Sequence, residues 1–476
     1  VPRKVHRDWR GGRSPGKLSF HPEGERPRDV EPGDVPHFSR GLNTAAVALL
    51  WVLVAPRWAH ASASTSPEST AVVTDKCLRP GPSSPNGEDP HRFELAGFPV
   101  LGGNSDIGFQ FGVAGTLTRY CGAVEPYLWN IDLVLSASAR DDAGNVHLVQ
   151  QSHVLRLDAP DLWNGRLRLD GRLSYQRTIN EGYYGLGDAS TATLSSGESS
   201  FGHEYEFIQE EARARFILHF RTGTPFEVIV GGNFRYELVT TYPGSKLAED
   251  GAARLPNGAP LIRGLAPTFL SGLAIGAYYD TRDSEFITTK GLFYQVGVGG
   301  MLGTADGVFY GNASAVLAHY VPIKGPFLFA ERLMGSVEFG QVPFYDLQQA
   351  GTFEPQQLFG GESGVRGVPD GRYAGKIMAL SNTEIRTRAL RFYLFKQHLG
   401  IGATTFFDFG RVWSDFKPNP QLDGKGAGLK YGVGGGIYLQ WGEAAIFRIE
   451  AAYSPDAVSE NPKLPVGIYV SDGLMF

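Results

Sequence analysis

Along most of this chain apolar and polar side chains alternate with a period of two, in segments of about ten residues or more. In Leu399 to Trp413 one face carries Leu399, Ile401, Ala403, Thr405, Phe407 and Phe409; the other carries Gly400, Gly402, Thr404, Phe406, Asp408 and Gly410. In Ala444 to Tyr453 the apolar set is Ala445, Phe447, Ile449, Ala451 and Tyr453, against Arg448 and Glu450. In Ile377 to Ala389 the polar face holds Asn382, Glu384, Arg386 and Arg388. Successive side chains of an extended strand point to opposite faces, so each segment predicts a strand with its charges confined to one side. A tilted strand of this length crosses a bilayer core. A soluble sandwich has the same alternation with its apolar face turned inward, so the pattern alone leaves two architectures.

The choice between them rests on the ends of the chain. Leu42 to Val54 is an apolar run without charge, preceded by Arg40 and followed by Ala59-His60-Ala61. It is too short for a membrane-spanning helix, which needs roughly 20 residues. It reads as a signal peptide over 40–63, cleaved near Ala61 or Ala63. Residues 1–39 read as an over-called or disordered extension, and 64–92, rich in Ser, Pro, Thr and Gly, as a flexible periplasmic linker. The last residue is the aromatic Phe476. An exported chain with this many strands and an aromatic end predicts a transmembrane β-barrel over 93–476. The 62 glycines and 12% aromatics suit tight turns and interfacial rings. A formal net charge of −5 gives no reason to expect a nucleic-acid partner.

About fifteen such segments follow one another from residue 105 onward. Bacterial single-chain barrels close with an even number of strands, so a sixteenth is expected around 93–101, although Pro99 and Gly102-Gly103 interrupt it. The expected fold is all-β: a 16-stranded antiparallel transmembrane β-barrel with a long luminal loop between strands 11 and 12. Connections at 179–202, 242–268 and 342–375 are the longest and all fall at one end, the outer one if the C-terminus is periplasmic.

The last of these carries Gly360 to Gly367, GGESGVRG, and this stretch resembles the outer-membrane assembly-factor superfamily, the BamA/TamA or bacterial surface antigen family. Four other segments are similar to it in the same order. They are Tyr183-Tyr184-Gly185-Leu186-Gly187; Asp280-Thr281-Arg282-Asp283 with Phe286, Lys290 and Gly291; Asn382 to Arg386; and Phe406 to Trp413. The resemblance implies that Gly360, Gly361, Val365, Arg366 and Gly367 fold back into the lumen, where Arg366 is held by Asp408. Glu384, turned inward one strand away, is a second acceptor for the same cation. It further implies that Asp280, Arg282, Asp283 and Gly291 form a periplasmic turn. Phe476, in phase with Val466, Ile468, Val470 and Leu474, is implied as an insertion signal read by the cell's barrel-assembly machinery. Family members that handle unfolded outer-membrane proteins carry periplasmic polypeptide-transport-associated domains. The roughly thirty residues between leader and barrel leave no room for one, so this chain is expected to lack them, or to work with a separately encoded periplasmic partner.

Cys77 and Cys121 are the two cysteines; they form either a disulfide across the linker or two separate thiols. No Cys/His cluster has metal-ligand spacing, and no metal or other cofactor is expected. Gly432, Gly434, Gly435 and Gly436 lack the lysine and helix of a phosphate loop. Ser363 sits in a string that fails G-x-S-x-G at its last position. The expected function is therefore protein or lipid insertion or translocation at the outer membrane, without enzymatic activity. A structural or surface-antigen barrel is the alternative, and an outer-membrane lipase-type enzyme a remote one.

Overall fold

The computed structural model describes residues 91–476 apart from 105–106, 123, 125, 143–144, 191–202, 286, 388–389, 395–396, 418, 442–444, 458–465 and 473. The strands, in chain order, are β1 (Phe93–Asn104), β2 (Gly108–Arg119), β3 (Trp129–Asp142), β4 (Asn145–Leu162) and β5 (Leu167–Gly182). Then come β6 (Glu206–Arg221), β7 (Phe226–Thr241), β8 (Thr268–Asp280), β9 (Gly291–Gly303), β10 (Phe309–Pro322) and β11 (Phe327–Gln341). After the long loop follow β12 (Ile377–Thr387, resuming as Leu390–Leu394), β13 (Gln397–Trp413), β14 (Lys430–Trp441), β15 (Ala445–Tyr453) and β16 (Val466–Asp472). Both pieces of β12 pair with the same edge of β13, so they are one interrupted strand.

Each strand pairs antiparallel with the next, from β1–β2 through β15–β16. β1 and β16 then lie beside one another and complete the sixteen-stranded barrel. Among the described residues no backbone ladder joins these two. The strand expected near 93–101 is β1. It tolerates Pro99 and paired glycines because it has a laddered neighbour on one side only.

Leu273, Ile275, Val298, Ile401, Ile437 and Ile449 are each half or more exposed on the outer wall. A water-soluble protein rarely shows so large an apolar surface; a lipid-facing wall requires it. The opposite face is polar: along β13, Gly402, Thr404, Phe406, Asp408 and Gly410 are buried between exposed Ile401, Phe407 and Phe409.

The connection 342–376 does not stand above the barrel but fills its interior. Phe344, Leu358, Phe359, Val365 and Tyr373 are at most 1% exposed; the last four pack on inward side chains such as Met334, Met378, Leu380 and Val412, and Phe344 packs in a second cluster with Leu270, Met301 and Tyr310. A short helix, α1 (Lys246–Ala252), capped by the Ser245 hydroxyl, joins the cluster from the β7–β8 connection through Leu247.

Candidate functional site

Arg366 lies at the tip of the luminal loop with no solvent exposure. Its guanidinium grips Asp408 of β13 with two parallel hydrogen bonds, Nε to Oδ2 at 2.7 Å and Nη2 to Oδ1 at 2.9 Å, and its backbone N–H donates to the same carboxylate. The two-pronged form is the strongest arrangement of an arginine–carboxylate pair. Nη1 lies 2.7 Å from Glu384 of β12, as an ion pair without hydrogen-bond alignment, and donates to Glu450 of β15 at 3.1 Å. The Phe406 ring lies beneath the guanidinium, 3.3 Å from the ring centre. Three carboxylates around one cation are balanced by Arg386 on Glu384 at 2.6 Å and Arg448 near Glu450 at 3.5 Å. Asn382 bridges Asp408 to the carbonyl of Gly364, and Arg332 of β11 holds Asn382 and the carbonyl of Ser363.

The surrounding glycines make this approach possible. Gly360 has φ +126°, and a Cβ there would stand 2.0 Å from the carbonyl of Pro369. Gly432 on β14, at the start of the glycine run, faces the carbonyl of Arg366; a Cβ would stand 1.9 Å from it. That run is the seat of the loop tip. Gly361 and Val368 close a tight turn by Gly361 N–H to Val368 C=O, Val365 N–H bonds Leu358 C=O, and Gly367 N–H donates to the Tyr469 hydroxyl of β16.

A second set of contacts fixes the other limb of the loop to the opposite wall. Asp346 accepts hydrogen bonds from Arg235 of β7 and Tyr310 of β10. Phe353 sits 3% exposed on a floor of glycines from β7, β8 and β9; a Cβ at Gly231, Gly276 or Gly297 would come within 3.0 Å of its ring. Thr352 bonds Ser314, and Arg215 of β6 donates to the carbonyl of Phe353. The Tyr183–Gly187 element clasps the returning limb: Gly187 N–H donates to Ala374 C=O, and Leu186 bridges Ala374. The loop thus spans the lumen as a strut with both ends seated.

The Asp280–Gly291 segment forms the β8–β9 turn. Arg282 folds onto Asp280 at 2.7 Å, and Asp283 accepts from the backbone of Thr289 and Lys290. These bonds are internal to the turn, which makes it a structural element. Phe286 and Arg388 lie outside the described residues. Cys121 is disulfide-bonded; Cys77 lies outside the described residues, as do the leader and the linker up to residue 90.

Phe476 departs from the sequence expectation. β16 ends at Asp472, so Phe476 does not continue its lipid-facing phase. The ring packs instead on the luminal side against Tyr320 of β10, with Arg386 at 4.7 Å from its centre and Arg332 at 5.3 Å. Two inward arginines offer the ring face a better partner than the strand register could.

Strand alternation exposes the inward set, Asp408, Glu384, Asn382 and Glu450, but not which members share one cation. The Arg235–Asp346–Tyr310 contact carried no sequence signal, because it depends on which strands face each other across the barrel.

The model of the Omp85 superfamily domain matches residues 149–463. Among solved structures the chain resembles BamA from Haemophilus ducreyi lacking POTRA domains 1–3, with TM-score 0.50 and 15% identity over 80% of this chain and 70% of that one. It also resembles CdiB from Escherichia coli, with TM-score 0.50 and 14% identity over 81% and 63%. At such identities the likeness speaks for the fold alone. No curated protein matches in sequence. The domain match spans well over half of the sequence, and with the sixteen antiparallel strands and the inward-folded loop it places the chain in the Omp85 superfamily of bacterial outer-membrane β-barrels.

Proposed function

We propose that this barrel inserts or translocates polypeptide or lipid at the outer membrane, by opening its wall between β1 and β16, and that it does so without catalysing a covalent reaction. The seam carries the reading. Every other neighbouring pair is joined by a ladder, whereas β1 and β16 lie side by side without one among the described residues. An unpaired edge in hydrocarbon costs several kcal/mol per unmade hydrogen bond, so this is the boundary at which the wall opens with the least loss. The strut supports the same reading: it is seated on β13–β15 and, through Tyr469, on β16, so it steadies one side of the seam, while among the described residues β1 makes no hydrogen bond to it. Export by a cleaved leader, insertion by the cell's barrel-assembly machinery and a separately encoded periplasmic partner belong to this proposal.

A second reading, a structural or surface barrel, is favoured by the depth at which both ends of the strut are buried. One experiment separates the two. Leu95→Cys on β1 and Ile468→Cys on β16 are cross-linked with a bis-maleimide in cells depleted of the wild-type protein, and the outer-membrane proteins and lipids are profiled. Loss of specific components on cross-linking, restored when the linker is cleaved, supports opening of the seam. An unchanged profile, both on cross-linking and on depletion, establishes the structural reading.

A further inference from the structure

Away from the strut, the lumen wall contains three arginines in register on adjacent strands. Arg156 of β4 is paired across the ladder with Arg172 of β5, and Arg172 with Arg215 of β6. All three face inward: Arg215 touches the luminal loop, and the alternate positions Leu155, Leu157, Gly171, Leu173, Ala214 and Phe216 form the other face. Like charges directly opposite one another destabilise a sheet, so such a row calls for compensation.

Two of the three arginines have a carboxylate partner of their own, and among the described residues Arg172 does not. Asp170 takes two hydrogen bonds from Arg156, at 2.8 and 2.5 Å. Glu211 is held by Arg213 at 2.5 Å, and Glu354 of the loop by Arg215 at 3.0 Å. Asp132, which lies across the ladder from Arg156 on β3, accepts from Asn130. Arg172 is left exposed in the lumen, with no hydrogen bond or ion pair among the described residues. The Nε atoms of Arg213 and Arg215 are buried and have no hydrogen-bond partner among the described residues.

We propose that Arg172, flanked by Arg156 and Arg215, forms a luminal binding site for a phosphate-class oxyanion. Arginine presents a planar fork that matches such oxygens two at a time. Strands stand about 4.8 Å apart, so the row spans on the order of 10 Å, wider than one phosphate and suited to a group with two. A soluble phosphate ester and the phosphate of a lipid headgroup present the same chemistry.

The test uses the full barrel refolded in an uncharged detergent and titrated calorimetrically with inorganic pyrophosphate. Saturable binding is expected, weakened at least tenfold by Arg172→Gln and less by Arg172→Lys, which keeps the charge but loses the fork. Lys417→Gln, on an exposed outer connection, should leave the affinity unchanged. All variants are checked for the heat-modifiable folded band. Absence of saturable binding overturns the site. So does an equal fall in Arg172→Gln and Lys417→Gln, which would mean diffuse attraction only. Repeating the titration in nanodiscs distinguishes the sources. Weaker pyrophosphate binding when anionic phospholipid replaces zwitterionic lipid assigns the site to a lipid phosphate. Unchanged binding assigns it to a soluble one.

Discussion

The two sides of the lumen are built from the same alternating strands but are filled differently. On β11–β15 the inward charges are sealed under the strut: Arg332, Arg386, Asp408, Glu384 and Glu450 are all at most 4% exposed. In the middle of β4 and β5 the Arg156 side chain is 46% exposed, and Arg172 and Gln176 stand open. Among the described residues, β1–β4 make no hydrogen bond to the luminal loop. The difference shows that a polar lumen wall needs no plug where water can solvate it, and that once a plug is seated every charge beneath it must find a protein partner.

The largest effect that can test this contrast is removal of the central cation. Arg366→Ala leaves Asp408 and Glu450 buried without their shared partner, and should cost about 3–5 kcal/mol, as breaking buried ion pairs does. The temperature at which the folded band disappears on gels should fall markedly. Asp408→Ala should do the same, and the double variant should lose clearly less than the sum, because one interaction is removed twice. Additive losses would mean that the two do not share an interaction, and the braced side would then owe its stability to apolar packing.

Phe353→Ala should rank next and weaken the opposite seat of the strut. Truncating a buried phenylalanine costs roughly 3–5 kcal/mol where the cavity cannot collapse, and here the ring rests on Gly231, Gly276 and Gly297 and packs with buried Ile217 and Ile229. Limited proteolysis between Asp346 and Glu354 should become faster in the variant while the β-sheet signal is retained. Unchanged protection would show that Arg235 and Tyr310, through Asp346, hold that limb alone.

The outer end of the barrel offers a pH-dependent probe of the same packing. Asp188, in the β5–β6 connection, is buried, and burial holds its carboxyl up at about 6 despite the lowering pull of Lys430 and Arg411. The folded chain therefore binds this proton more tightly than the unfolded one, whose carboxyl titrates near 3.9. Stability from this group is full below about 4, falls as pH rises to about 6, and is level above that. Melting of the folded band measured from pH 4 to 7 should show that decline, and Asp188→Asn should flatten it. A decline of the same size in Asp188→Asn would assign it to other groups.

Much of the braced side could be read from sequence, because its signals are local. Alternation turned Asp408, Glu384 and Asn382 inward, and the family resemblance of the Gly360–Gly367 stretch implied that Arg366 folds back onto Asp408. The partners across the barrel were hidden. Asp346 with Arg235, Phe353 on Gly231, Gly276 and Gly297, and Phe476 on Tyr320 each join residues whose proximity follows from barrel closure, which period-two patterning does not encode. Gly432 shows the limit well: its place in a glycine run was visible, but the carbonyl of Arg366 that forbids a side chain there was not. The ladder partners Arg156, Arg172 and Arg215 are a third case, since their register follows from the strand pairing as built rather than from any one strand.

The smallest effects come from a matched pair of glutamines, one on each side. Gln348, in the strut, is 3% exposed and donates to the carbonyls of Gly182 at 2.8 Å and Gly371 at 2.9 Å. Gln348→Ala leaves two carbonyl oxygens without that donor in a site closed to solvent, at a cost of about 1–3 kcal/mol. Gln176 points into the lumen from β5 and is exposed, so Gln176→Ala should change stability by no more than about 0.5 kcal/mol. The two residues have the same functional group and the same propensities, so any gap between the variants measures the environment. Loss of the folded band is followed against urea for both variants, with each slope compared to the wild type. A midpoint shift for Gln348→Ala alone supports a sealed strut beside an open wall. Equal shifts would mean that water reaches Gln348 as freely as Gln176, and that the strut rests in the lumen without sealing it.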